Sequence, residues 1–275
     1  MQYRRSIVAL ASLAALVMTA AGAAAFDESK YPDLRGKWDR TAPPRWLQAG
    51  QTAPLTPEYQ KIFEWNTADQ KAGGHGWEPS WMCLPPGMPR IMNVYEPMEV
   101  IVTPSTTYIL ISHVHDNRRI YTDGRDWPAD PEPSFKGYSI GKWIDEDGDG
   151  KYDVLEVETR LIKGPRTLDG LLPTHTDNQS IVKERIYLDK ANPDILHDEI
   201  TLIDHAYTRP WTVIKNYPRH KNPGPIGWPE EVCAENNVHV SVGKEDYYVS
   251  SDGYLMPVKK NQAPPDLRYF KQTGN

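Results

Sequence analysis

From Met98 to Ser250 the chain consists of short segments in which apolar and polar residues alternate, divided by turn residues and uninterrupted by helices. Alternation with a period of two sends successive side chains to opposite faces of a strand. On that basis Met98 to Thr103, Thr106 to His113 and Arg118 to Thr122 form a meander, turning at Pro104-Ser105 and near Asp116-Asn117. Further strands are expected over Gly137 to Ile144, Asp153 to Ile162, Ser180 to Leu188, Asp198 to Asp204, Trp211 to Asn216, Val238 to Val242 and Tyr247 to Ser250. So many short strands without intervening helices close into an antiparallel barrel or stack as a sandwich.

One helix precedes the sheet. Thr56 is a natural N-cap, Pro57 suits the first helical position, and Glu58 faces the positive end of the helix dipole. Tyr59, Ile62 and Phe63 recur at helical spacing until Gly73-Gly74 stops the segment. From Gly76 to Arg90 the composition turns to Trp, Pro and Gly, an ordered but irregular crossover.

Arg4 and Arg5 precede an apolar stretch from Ile7 to Val17 and the small-residue run Ala20 to Ala25. Charge, apolar core and an Ala-x-Ala exit are what signal peptidase requires. Residues 1–25 are therefore read as a signal peptide cleaved near Ala25, leaving 26–275 as a single domain that is periplasmic or secreted. The apolar segment falls short of the ~20 residues that span a bilayer, so no stable membrane insertion is expected. The 275 residues carry 31 Lys and Arg against 37 Asp and Glu, and two of the basic residues depart with the leader. With no long Lys/Arg run, the chain offers no footprint for nucleic acid.

Export changes how the two cysteines, Cys83 and Cys233, are read. An oxidising compartment lets distant thiols close a loop, so a disulfide is expected, with two unrelated buried thiols as the alternative. Their spacing gives no paired-Cys zinc pattern.

Gly36-Lys37-Trp38 opens the first strand of the mature chain, and Gly141-Lys142-Trp143 recurs inside a later one. Gly-x-Trp at the start of a barrel resembles the lipocalin and wider calycin pattern, in which the Trp closes one barrel end. Three longer stretches run Cys83-Leu84-Pro85-Pro86-Gly87-Met88-Pro89-Arg90, then Arg119 to Pro128 (RIYTDGRDWP), then Gly137 to Trp143 (GYSIGKW), and Glu184-Arg185 and Tyr207 to Trp211 continue them. In order and spacing these resemble a large group of exported bacterial proteins. The resemblance covers most of the mature chain and implies export without implying a chemistry. The chain departs from the group between Asp145 and Tyr152, where a tight turn is replaced by acidic residues. The expected fold is mainly β, an antiparallel lipocalin-like (calycin) barrel with one N-terminal helix and long irregular segments.

The acidic insertion places Asp145, Asp147, Asp149, Asp153 and Glu156 at the ligand positions of a twelve-residue calcium loop. Its flanks look like strands, so a structural calcium site on a hairpin is weighed against a solvated acidic turn. Gly137-Tyr138-Ser139-Ile140-Gly141 spells a nucleophile elbow, but no helix follows to expose the Ser.

His113 and His115 continue the apolar face of Ile109 and Ile111, and Glu184 shares a face with Val182 and Ile186. These three are the candidate acid–base residues. The histidines read as ordinary structural residues or as the polar lining of a cavity; a zinc-type site with His175 or His239 as third ligand is the less favoured reading. Asp204 follows Ile200 and Leu202 inward, and a buried carboxylate needs a partner, for which Arg119, Arg125 and Arg185 are the nearest candidates. Arg119, Asp123, Arg125, Trp127, His175 and Asp204 are the candidate ligand contacts. No Walker loop, dinucleotide glycine pattern, HExxH or CxxCH motif occurs, which argues against nucleotide, flavin and haem. The expectation is an exported barrel that binds a small, partly apolar molecule in its interior. An enzyme on the same barrel, performing an isomerase, lyase or hydrolase step with metal optional, and an envelope scaffold are the alternatives.

Overall fold

The computed structural model describes residues 26–41, 45–93, 97–112, 116–221, 228, 233, 239–250 and 253–265. Nine strands form one sheet in strict sequence order: β1 (Lys37–Trp38), β2 (Met98–Val102), β3 (Thr106–Ile111), β4 (Asp116–Tyr121), β5 (Tyr138–Ile144), β6 (Val154–Arg160), β7 (Ile181–Leu188), β8 (Ile195–Ile203) and β9 (Trp211–Pro218). The first and last strands meet through an antiparallel bridge between Trp38 and Arg219. Beside that bridge the Asp39 amide donates to the Pro218 carbonyl at 2.9 Å, and the His220 amide to the Lys37 carbonyl at 2.7 Å. The sheet is thus a barrel, mainly β and of the lipocalin-like kind.

Closure explains the one departure from an antiparallel meander. A ring of strands that alternate in direction needs an even number, so nine strands force at least one parallel neighbour pair. That pair is β4 with β5, where Ile120 faces Ser139 and Tyr121 faces Ile140. Parallel neighbours need a crossover of a dozen or more residues, and residues 122–137 supply it.

Burial alternates along the strands as the period predicts. Ile109, Ile111, Ile120, Leu155, Val182, Ile200, Leu202 and Val213 are all buried on the inner face. Trp38 closes one end: its Nε1 donates to the Leu34 carbonyl at 3.0 Å, and the Arg219 guanidinium lies 4.3 Å from its ring centre. Trp143 points inward with its Nε1 donating to Thr107 Oγ1 at 3.2 Å, and Tyr31 meets it edge-on at 5.3 Å.

Helix α1 (Pro57–Lys71) starts at Thr56, whose hydroxyl accepts the Tyr59 amide, and is the one α-helix among the described residues. Strands β10 (His239–Val242), β11 (Glu245–Val249) and β12 (Leu255–Pro257) form a separate three-stranded sheet and not a continuation of the barrel wall. The β12 segment, Leu255-Met256-Pro257, is too short to be legible by alternation. This small sheet is tied to the α1 region by a His75–Asp246 contact at 2.7 Å and a Lys259–Asp69 pair at 2.5 Å. Cys83 and Cys233 form a disulfide with Cα atoms 5.6 Å apart, closing a loop of 150 residues. Residues 1–25, expected to be a signal peptide, lie outside the described residues, as do His113 and His115.

Candidate functional site

An apolar barrel interior tolerates charge only where the charge is paired and hydrogen-bonded. This one contains a polar belt contributed by successive strands. Arg118 alternates with inward-facing Ile120 on β4, and its side chain reaches past β5 and β6 to Glu184 on β7. Nη1 donates to Glu184 Oε1 at 2.7 Å, Nη2 donates to Oε2, and Nη2 also donates to Thr159 Oγ1 at 3.0 Å. Thr159 in turn shares a hydrogen bond with Ser139, its register partner, at 2.8 Å. Arg118 and Glu184 are 1% and 3% exposed, so solvent screens this pair little.

Asp198 on β8 is wholly buried and diagonal to Glu184, since it stands opposite Ile186 in the register. No donor reaches either of its carboxylate oxygens among the described residues. Desolvation, followed by the Glu184 charge, raises its pKa well above the ordinary value, and Arg118 opposes the shift only in part. Both effects favour the protonated form of Asp198, which can donate a hydrogen bond to the Glu184 carboxylate.

Lys215 on β9 is the register partner of Asp198, yet its Nζ donates to the Arg45 carbonyl at 2.9 Å and the Trp46 carbonyl at 3.2 Å. Burial lowers its pKa to about 8. Tyr217 is buried and donates to the Met92 carbonyl, with its pKa raised by desolvation and then by Asp198.

Of the expected site residues, only Glu184 belongs to this belt. Its partner is Arg118 and none of Arg119, Arg125 or Arg185, because parity sends Arg119 and Arg185 outward and Arg125 lies in the crossover between β4 and β5. Arg119 lies over Tyr108, and Arg185 pairs with Glu146 and Glu156. Asp123 and Arg125 form a pair at 2.6 Å outside the wall, holding the Asp123 carboxyl down at about 2. Arg125 sits 4.0 Å from the centre of the Tyr121 ring, and Arg160 covers Trp127 at 4.5 Å.

Asp204 is buried apart from Glu184, in a network of its own. It accepts from the His175 amide at 3.0 Å, the Ala206 amide at 2.8 Å and the Ser180 hydroxyl, and it pairs with Arg166 at 3.4 Å. His239 packs against Trp81 and Tyr248 at the small sheet, away from the barrel interior.

The acidic loop brings together three of its five expected ligands, with the carboxylates of Asp145, Asp147 and Asp149 within 4.8 Å of one another. Asp153 instead accepts the Glu146 amide at 2.8 Å, and Glu156 is held by Arg185 on the outer face. Ser139 is no elbow nucleophile, being buried within β5. The glycines of that motif answer to packing. Gly137 has φ +67° and a Cβ there would fall 2.5 Å from the Arg160 carbonyl, while one at Gly141 would meet Ile120 at 2.6 Å.

A concavity of about 750 Å³ lies over β5 to β8, lined by Lys142, Glu156, Glu158, Lys183, Arg185 and Glu199 among others. These charged residues alternate with the inward set, so the concavity faces the outside of the wall. Of the interior belt only Glu184 contributes to its lining.

No protein-family model, curated protein or solved structure matches the chain. The likeness to exported bacterial proteins therefore rests on its motifs alone.

Proposed function

We propose that the protein is exported and that its barrel holds a small, partly apolar molecule, anchored by the polar belt. Asp198 carries this reading: it is a fully buried carboxyl that receives no donor among the described residues, beside a Glu184 carboxylate that Arg118 holds with both Nη atoms. With its proton directed at Glu184, the protonated acid offers an acceptor oxygen, which suits a hydroxyl or amide N–H on an otherwise apolar ligand. An acid–base step on the same barrel would fall to Asp198 and Lys215. Glu184, clamped by a bidentate guanidinium, is poorly placed to exchange a proton.

The packed interior favours a second reading, an envelope scaffold without a ligand, because residues such as Ile109, Ile120, Leu155 and Ile200 leave little area open to solvent. Native mass spectrometry of protein purified from its own periplasm separates the two. The binding reading expects a retained small mass that is lost in Asp198→Leu; apo mass in both would support the scaffold.

In the same proposal the hairpin loop of Asp145, Asp147 and Asp149 takes calcium in a structural role. Millimolar calcium is then expected to raise the melting temperature by mass action, reversibly with chelator. An unchanged transition at fixed ionic strength leaves a solvated turn.

A further inference from the structure

Two imidazoles and a carboxylate converge on the side of the barrel next to α1. His175 and Asp177 come from the segment before β7, and His205 from the turn after β8. One ligand atom of each lies within 4.8 Å of the others. His175 Nδ1 faces Asp177 Oδ1 at 3.2 Å, and the two histidine rings are 5.3 Å apart between centroids. Ligands bonded to zinc at about 2.0–2.2 Å in a tetrahedron are ~3.3 Å apart. The His175–Asp177 separation already meets that spacing, and a side-chain rotation of the exposed His205 brings in the third.

The arrangement is fixed by a buried group beneath it. The Asp204 carboxylate accepts the amide of His175 with one oxygen, and the same oxygen accepts the amide of Ala206, next to His205. A single anchor thus holds the backbone of both histidine-bearing loops, and Ser180 and Arg166 hold the anchor. Tyr59 of α1 packs against the His175 ring, with centroids 5.9 Å apart. The Asp177 amide also donates to His175 Nδ1 at 3.2 Å, a contact that gives way where Nδ1 ligates a metal.

We propose that His175, Asp177 and His205 bind a divalent transition metal of the zinc class. Two imidazoles favour such a borderline ion over calcium or magnesium, which select oxygen ligands. Three protein ligands with His205 exposed leave a fourth position open to water or an exogenous ligand. The site is separate from the interior belt and stands or falls independently of ligand binding there.

Cobalt(II) and zinc(II) titration of the full mature chain without an affinity tag tests the assignment. Wild-type protein should take up a single equivalent of cobalt with the intense visible bands of a low-coordinate site, and zinc should bleach them. His205→Ala, an exposed truncation, and Asp177→Asn should each weaken cobalt binding by more than about tenfold while the melting curve of the metal-free protein holds. A variant with Asp145→Asn and Asp147→Asn should titrate as wild type. The proposal is overturned if His205→Ala binds cobalt as tightly as wild type, if the acidic-loop variant abolishes the bands, or if only the weak spectrum of octahedral cobalt develops.

Discussion

Arg118→Met should lower the stability of the folded chain by about 3–5 kcal/mol, because it strands Glu184 as an uncompensated charge inside the barrel. The two side chains are 1% and 0% exposed and joined through both guanidinium Nη atoms, so water does not replace what is lost. Thr159 loses a donor in the same change. Removing both charges is a different experiment. Replacing a buried pair by neutral groups of similar volume is often close to neutral, so Arg118→Met combined with Glu184→Gln should recover most of the loss. In the single variant the cost is that of a buried charge without a partner, so it should shrink at low pH, where carboxylates are protonated. Urea denaturation of the three proteins across pH measures all of this. A single variant that loses under about 1 kcal/mol would mean that the pair is hydrated and the interior wetter than described.

Much of the architecture was legible because period-two alternation is a local property. The strand segments of the barrel, the Thr56-Pro57-Glu58 helix start and the end-closing role of Trp38 each follow from a few neighbouring residues. What escaped depends on the ring as a whole. The parallel β4–β5 pair is a consequence of nine strands closing, and nothing in residues 122–137 announces it. The separate small sheet likewise depends on where the chain goes after β9.

The site divides the same way. Parity placed Glu184 inside, and it would also have placed Arg118 inside, since Arg118 alternates with Ile120 as Arg119 does with Tyr121. Asp198 sits on the face of Leu196, Ile200 and Leu202, and an acid on that face is as strong a signal as Glu184. The motif-bearing arginines drew attention away from both. The lowered pKa of Lys215 was not legible, because it depends on packing beneath Trp46, a residue far away in sequence.

Asp198→Asn should stabilise the protein at neutral pH by about 1–3 kcal/mol, because Asp there must take up a proton or bury a charge and Asn does neither. Burial and the neighbouring Glu184 raise the Asp198 pKa above its ordinary 3.8, so the folded chain holds a proton that the unfolded chain releases. Folding then binds a proton throughout the interval between the two pKa values, and stability falls as pH rises through it. Below the unfolded value both states are protonated and the effect disappears. Asn keeps the shape, never ionises, and can donate to Glu184 as the neutral acid does. Its advantage over Asp should therefore be absent near the ordinary carboxylate pKa, grow with pH, and level off above the folded-state pKa, shifting the melting temperature by several degrees at neutral pH. If the carboxyl is kept for a ligand, Asp198→Leu, which removes both oxygens, should lose the retained small mass, the trade expected where function holds a group at a folding cost. An Asn variant less stable than wild type at neutral pH would show Asp198 to be ionised and paired in the folded state, and would remove the basis for placing the anchor there.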